Sequence, residues 1–200
     1  MSNDASSGTS QVSPWNVPNA LTVLRLLMVP LFAWMLLSHP DDPVWRWATT
    51  GVFVLAMLTD LADGKIARRY NIVTDFGKLA DPIADKAMTG MAFVGLSIIG
   101  ELWWWVTIVI LVREWGITVM RFAIIKWGVM AANRGGKLKT VFQTAAIILA
   151  LMPLPDLLRP VAWVVMAIAL LLTVLTGLDY VREAAKLRRS YHERQAGGFA

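Results

Sequence analysis

The sequence contains no cysteine, and charged residues make up only 16% of its 200 residues. The lack of cysteine excludes disulfide bonds and thiolate metal sites, so any bound metal must use oxygen or histidine ligands. The scarcity of charge, together with 56% hydrophobic residues, lies outside the range of ordinary soluble domains. The composition therefore predicts an integral membrane protein, with a lipid bilayer and no nucleic acid as its partner.

Apolar runs separated by polar breaks predict an all-α bundle of six transmembrane helices. We expect a disordered cytosolic tail over 1–15, one membrane domain over 16–185 and a basic cytosolic tail over 186–200. The second apolar run continues into charged sequence without a turn signal, which predicts one helix that extends beyond the lipid. The predicted spans lie near residues 20–38, 44–66, 79–99, 102–128, 140–154 and 160–181.

Lysine and arginine are unevenly distributed between the two sides of this predicted bundle. The segments on one side contain only Arg46 and Arg159, whereas the other side has several basic clusters. Basic residues are enriched in cytoplasmic loops, so this asymmetry predicts that both termini lie in the cytosol. We expect the bacterial cytoplasmic membrane as the location.

Residues 58–86, LTDLADGKIARRYNIVTDFGKLADPIADK, contain an unusual group of aspartates on the predicted cytosolic side. Asp60 and Asp63 are three residues apart, and Asp81 and Asp85 are four apart, so each pair lies on one helix face. Four carboxylates from successive spans would repel one another unless a divalent cation such as Mg²⁺, Mn²⁺ or Ca²⁺ were bound. The alternative is that they cap helices and pair with nearby lysines and arginines.

Small residues accompany this aspartate group. Gly64 follows Asp63, and Gly77 precedes Asp81 by one helical turn. Glycine destabilises a helix by about 1 kcal/mol relative to alanine, so its presence suggests that a ligand approaches the backbone closely. With Ala67 and the planar guanidinium of Arg68, these residues predict a shallow groove for a diphosphate ester.

The order and spacing of these residues resemble the signature D-x2-D-G-x2-A-R-x8-G-x3-D-x3-D of the CDP-alcohol phosphatidyltransferase family. The resemblance implies a six-helix membrane enzyme, commonly a homodimer, that displaces CMP from a CDP-linked lipid with an alcohol. It implies that Asp60, Asp63, Asp81 and Asp85 bind one or two Mg²⁺ or Mn²⁺ ions, with Asp85 also the catalytic general base. The positions that it matches to CDP-lipid binding are Asn19, Thr22, Gly64, Ala67, Arg68, Thr74 and Gly77.

Four basic residues suggest which alcohol is used. Arg113 and Arg121 lie eight residues apart in an apolar run, and Lys137 and Lys139 begin the next span. Together they suggest a pocket for an acceptor that itself carries phosphate, such as glycerol 3-phosphate. The alternatives are a buried Arg113–Glu114 pair, a snorkelling arginine and ordinary cytosolic-loop lysines.

Within the family, the motifs outside the aspartate signature resemble members that join CDP-diacylglycerol to glycerol 3-phosphate. A relative that uses inositol phosphate would also need a basic pocket and is the alternative. A different class of protein, a transporter with the aspartates as its ion site, would place them near the bilayer midplane rather than at its edge.

Overall fold

The computed structural model describes residues 17–70, 75–124 and 134–197, with backbone alone for 17–18, 63–70, 75–82, 134 and 192–197. These residues form six α-helices and no strand, which confirms the predicted all-α class. The helices are α1 (Val17–Ser38), α2 (Pro43–Tyr70), α3 (Asp75–Ile98), α4 (Trp104–Ile124), α5 (Arg134–Leu151) and α6 (Arg159–Gly197).

Local sequence explains where α2 begins and α3 ends. Asp42 precedes α2, and its Oδ1 accepts hydrogen bonds from the backbone N–H groups of Val44 and Trp45 at 2.8 and 3.3 Å. This is an N-cap, followed by a proline at the first helical position, where its missing N–H costs nothing. Gly100 follows α3 with φ of +80°, a left-handed conformation that terminates helices and that glycine adopts without strain.

The helices pack in two groups, which are joined by contacts of α5 with α2 and α3 and of α4 with α3. Helix α1 packs against α2 and α3, α6 packs against α4 and α5, and α5 also contacts α2 and α3. In the core, the rings of Phe32 and Phe53 lie 5.9 Å apart between α1 and α2. Helices α1 and α3 approach closely at Gly95, where a Cβ atom would lie 2.6 Å from Leu36 Cδ2.

Large apolar side chains cover much of the outside of this bundle. Trp34, Leu58, Val112 and Phe122 are among the exposed ones, and all six helices contribute such residues. Among the described residues, two segments are long and apolar enough to cross a membrane by composition, Asn19–Ser38 and Arg159–Tyr191. The described parts of the other four helices do not meet this criterion, so six spans remain a prediction.

Two helices are longer than the apolar runs that predicted them. Helix α2 continues unbroken to Tyr70, which confirms that one helix includes both the apolar run and the charged sequence after it. Helix α6 continues to Gly197, so most of the segment 186–200 extends the last predicted span as helix. The predicted tail 1–15 lies outside the described residues.

Arg46 joins several elements at one end of the bundle. Its Nη1 lies 2.9 Å from Glu101 Oε1, which follows α3. Its Nε and Nη2 donate hydrogen bonds of 2.9 and 2.6 Å to the carbonyls of Leu151 and Ala150. The last carbonyls of a helix have no partner within the helix, so Arg46 satisfies two of them at the end of α5.

Candidate active site

Two of the four predicted metal-ligating aspartates have described side chains, and the fold brings them together. Asp60 lies on α2 and Asp85 on α3, close enough to interact electrostatically across the helix interface. Asp60 Oδ1 also accepts a hydrogen bond of 2.6 Å from Nη1 of Arg25, a residue of α1 that is fully buried. The end of the bundle opposite Arg46 therefore contains carboxylates from two helices beside a buried cation.

The other two aspartates occupy positions one helical turn from the first two. Position 63 follows Asp60 by three residues and position 81 precedes Asp85 by four, and both lie in continuous helix, so each shares a face with its neighbour. Thr74 lies outside the described residues. The structure describes the backbone alone at the remaining predicted site residues of α2 and α3. These are Asp63, Gly64, Ala67, Arg68, Gly77 and Asp81.

Helix α1 adds a polar face to this end of the bundle. Asn19 and Thr22, both predicted to bind the CDP-lipid, are buried together with Arg25. The three residues follow one another at intervals of three, so they lie along one side of α1. Buried polar groups of this kind are rare in apolar helices unless they have partners or a function.

A basic cleft lies between α4, α5 and α6, and Leu61 of α2 and Lys86 of α3 also line it. Its volume is about 480 Å³, and it contains all four residues predicted to bind an acceptor phosphate, Arg113, Arg121, Lys137 and Lys139. Helix α4 supplies the arginines and α5 the lysines, while α6 closes one side. The two sets of residues are separated in sequence, yet the fold assembles them around one space.

Arg113 is anchored on two sides. Its Nε donates to the carbonyl of Thr173 at 3.1 Å and its Nη2 to the hydroxyl of Thr176 at 2.7 Å, both on α6. Its Nη1 lies 3.1 Å from Oε1 of Glu114. The Arg113–Glu114 pair considered as an alternative is therefore present, and the same arginine still lines the basic cleft.

Tyr180 holds the two arginines in place from α6. Arg121 Nη2 donates a 2.7 Å hydrogen bond to the Tyr180 hydroxyl. The guanidinium carbons of Arg121 and Arg113 lie 4.8 and 5.8 Å from the centre of its ring, within the range of cation–π attraction. Helix α6 comes close enough for this contact at Gly177, where a Cβ atom would lie 3.1 Å from Arg113 Cγ.

Lys86 and Glu114 connect the basic cleft with Asp85. Both line the cleft, and both also line a smaller cavity of about 70 Å³ that contains Asp85. Lys86 donates a hydrogen bond to the Thr118 hydroxyl, and its Nζ lies 5.5 Å from the ring centre of Trp115. Glu114 accepts a hydrogen bond of 2.5 Å from Lys139 Nζ.

Sequence reasoning did not assign four residues of this region to the site: Arg25, Lys86, Glu114 and Tyr180. A signal was available for Arg25 and Glu114, because each is an ionisable residue within an apolar run. Tyr180 gave no such signal. Its role follows from the packing of α6 against α4, which the sequence pattern does not specify.

The donor chemistry of the aspartate end fits a hard divalent cation. Asp60 and Asp85 offer carboxylate oxygens, and the two further aspartates lie one turn away on the same helices. Mg²⁺ and Mn²⁺ prefer oxygen ligands of this kind. Among side chains that the structure describes, no group of three or more His, Cys, Asp or Glu residues forms a complete metal site.

Comparison with known proteins is consistent with this arrangement. Residues 15–175 match the sequence model of a family described as CDP-alcohol phosphatidyltransferase. A Mycobacterium tuberculosis protein named "probable phosphatidylglycerophosphate synthase" is 50% identical over 175 residues, covering 86% of this chain and 82% of the relative.

Two further relatives carry the name CDP-diacylglycerol–glycerol-3-phosphate 3-phosphatidyltransferase. The Bacillus subtilis protein is 34% identical over 180 residues, covering 83% of this chain and 93% of the relative. The Rickettsia typhi protein is 35% identical over 173 residues, covering 84% of this chain and 96% of the relative. In each case the match includes most of both chains.

Proposed function

Because the chain belongs to the CDP-alcohol phosphatidyltransferase family, we propose that it transfers a phosphatidyl group from CDP-diacylglycerol to glycerol 3-phosphate. The products are phosphatidylglycerol phosphate and CMP, and the process is phospholipid biosynthesis. The similar proteins named above carry this reaction or its product in their names. The observation that most directly supports glycerol 3-phosphate is the basic cleft next to the Asp85 cavity.

The donor lipid occupies the aspartate end in this proposal. Asp60, Asp63, Asp81 and Asp85 hold one or two Mg²⁺ or Mn²⁺ ions, which neutralise charge on the diphosphate when they are bound. The buried polar face of α1, with Asn19 and Thr22, lies beside the CDP group. The remaining proposed CDP-lipid contacts are Gly64, Ala67, Arg68, Thr74 and Gly77.

Asp85 acts on the acceptor. The hydroxyl oxygen of glycerol 3-phosphate attacks the phosphorus that bears diacylglycerol, and the bond from that phosphorus to the CMP oxygen breaks. Asp85 accepts the proton that the hydroxyl loses, and CMP leaves with the bridging oxygen. A base at this position has to lie within hydrogen-bond reach of the hydroxyl, so the position of the acceptor determines the rate.

The basic cleft fixes that position by binding the acceptor's own phosphate. Arg113 and Arg121 offer planar guanidinium groups suited to phosphate oxygens, and Lys137 and Lys139 add charge. Contacts with α6 hold both arginines before any ligand arrives. A preorganised site of this kind loses less side-chain entropy on binding than one formed from mobile surface residues.

The membrane arrangement completes the proposal. Six helices cross the bilayer, both termini and the active site lie on the cytosolic side, and two copies form a homodimer in the bacterial cytoplasmic membrane. Residues 16–185 form the membrane domain between the two tails. The exposed apolar side chains on all six helices support contact with lipid.

A direct test measures CMP release by the purified protein with Mg²⁺ and CDP-diacylglycerol. We expect release to require glycerol 3-phosphate, to yield phosphatidylglycerol phosphate and to stop when a chelator removes the metal. Release that requires inositol phosphate instead would leave the family assignment intact and overturn the acceptor. A protein that moves ions and releases no CMP with either acceptor would be the transporter considered above.

A further inference from the structure

Glu114 places a carboxylate where the proposed acceptor phosphate has to bind. A single oxygen, Oε1, lies 3.1 Å from Arg113 Nη1 and 2.5 Å from Lys139 Nζ. Both cations line the basic cleft. The side chain of Glu114 therefore occupies donors that a phosphate oxygen would otherwise use.

The charge of the cleft favours an additional anion. Among the residues whose side chains the structure describes, its lining includes one carboxylate, that of Glu114, and five cationic side chains: Lys86, Arg113, Arg121, Lys137 and Lys139. Lys139 is almost fully buried, with 7% of its side chain exposed. Grouped cations that are partly removed from water repel one another, and an anion among them relieves that repulsion.

Arg113 does not depend on Glu114 for its position. Its Nε and Nη2 donate hydrogen bonds to Thr173 and Thr176 of α6, whereas its contact with Glu114 is made by Nη1. The ring of Tyr180 gives it a further contact. If the carboxylate moved, the guanidinium would remain in place with Nη1 available to a phosphate oxygen.

The Glu114–Lys139 pair also lies between two spaces. Four residues line both the basic cleft and the Asp85 cavity, namely Lys86, Glu114, Lys139 and Thr140. An acceptor with its phosphate in the cleft has to extend its hydroxyl past this shared wall to reach Asp85. Separation of the pair would join the two spaces.

We propose that Glu114 is an internal competitor of the acceptor phosphate. The phosphate takes Arg113 and Lys139 from Glu114, and the displaced carboxylate opens the wall between the basic cleft and the Asp85 cavity. Glu114 is a positioning residue in this role, because it acts through the two cations. The inference rests on the proposed function for the identity of the occupant, a phosphate monoester.

Inorganic phosphate is the probe, since it tests the cleft without CDP-lipid or turnover. Equilibrium dialysis of the purified full-length protein with radiolabelled phosphate gives its dissociation constant. We expect Glu114→Gln to bind phosphate about tenfold more tightly than the unmodified protein, because the competing charge is gone. Glu101→Gln is the matched control, since it removes the carboxylate of the other arginine pair and should leave phosphate binding unchanged.

A second variant covers the case in which Glu114→Gln does not fold. Glu114→Asp keeps the charge on a shorter side chain, so it should bind phosphate more tightly than the unmodified protein and less tightly than Glu114→Gln. Kinetics add an independent readout: the KM for glycerol 3-phosphate should fall in both variants without a rise in kcat.

Unchanged or weaker phosphate binding in both Glu114 variants would overturn the inference and assign Glu114 the role of holding the cations for the ligand. Tighter binding in a protein that releases no CMP with glycerol 3-phosphate would instead contradict the proposed function and leave the competitor role standing. Phosphate binding therefore tests the competitor role of Glu114, and CMP release tests the proposed function.

Discussion

Two arginine–glutamate pairs lie in different parts of the bundle, and their surroundings differ in charge. Arg46 and Glu101 are 2.9 Å apart, and Arg113 and Glu114 are 3.1 Å apart. Both arginines give their other donors to neighbouring helices, but only Arg113 of the two lines the cleft that contains four other cations. Along α5 the two regions are about 18 Å apart, from Lys139 to Leu151.

The comparison shows that an ion pair does not by itself indicate function. Arg46 donates hydrogen bonds to the carbonyls at the end of α5, and its charge is paired with that of Glu101. Arg113 lines a cleft in which the described side chains include five cations and one carboxylate. Such an excess is unfavourable in the free protein and becomes favourable when an anionic ligand binds. Substitutions near Arg46 should therefore change stability, and substitutions near Arg113 or Asp85 should change activity.

The largest effect is expected at Asp85. Asp85→Asn removes the proposed base, so the rate of CMP release should fall by about 10²- to 10⁴-fold, with the melting temperature almost unchanged. Asp156→Asn is the control at the other end, where that side chain is 99% exposed. Normal turnover by the Asp85→Asn variant would exclude Asp85 as the base.

Arg46→Met should act on stability instead. It leaves Glu101 and two terminal carbonyls of α5 without their buried partner, which should cost about 3 kcal/mol of unfolding free energy. Thermal unfolding in detergent measures this loss. The KM for glycerol 3-phosphate, measured below the melting temperature, should remain unchanged, and a raised KM would contradict a purely structural role for Arg46.

Arg113→Met should show the reverse pattern. Loss of a hydrogen bond to a charged phosphate is worth about 1.5–3 kcal/mol, so the KM for glycerol 3-phosphate should rise roughly 10- to 100-fold. The KM for CDP-diacylglycerol should stay within a few-fold of the unmodified value. Equal increases for both substrates would indicate general distortion rather than loss of an acceptor contact.

Tyr180→Phe should have the smallest effect. It removes the hydroxyl that accepts the Arg121 hydrogen bond and keeps the ring near both arginines. One hydrogen bond contributes about 0.5–1.5 kcal/mol, so we expect a rise of roughly 2- to 10-fold in the acceptor KM. Tyr180→Leu, which removes the ring as well, should raise the KM further; similar values for the two variants would rule out the ring contacts.

The sequence predicted the helices well because hydrophobic runs and their breaks determine helix number in an apolar chain. It also predicted that Asp60 and Asp85 approach each other, since short connections make successive helices neighbours. It did not predict that Arg25 pairs with Asp60. That contact depends on which neighbouring helix the polar face of α1 packs against, and the sequence pattern does not specify this.

The sequence predicted which basic residues line the cleft, but it did not predict which residues of α6 hold them in place. Arg113 and Arg121 were predicted because charged residues within apolar helices are rare and often functional, and Lys137 and Lys139 were added from the start of the next span. The threonines of α6 and Tyr180 could not be found in this way, because Tyr180 is 59 residues from Arg121 in sequence. Their roles depend on the crossing of α4 and α6, where Gly177 leaves space for Arg113.

In the proposed function, the aspartate end and the basic cleft form one active site, with Asp85 between metal and acceptor. A crystal structure with Mn²⁺ and glycerol 3-phosphate tests it most directly, because anomalous scattering locates the metal. We predict Mn²⁺ bound by Asp60 and Asp85, the phosphate on Arg113 and Arg121, and the acceptor hydroxyl facing Asp85. Manganese bound elsewhere, or a phosphate seated outside the cleft, would contradict the account.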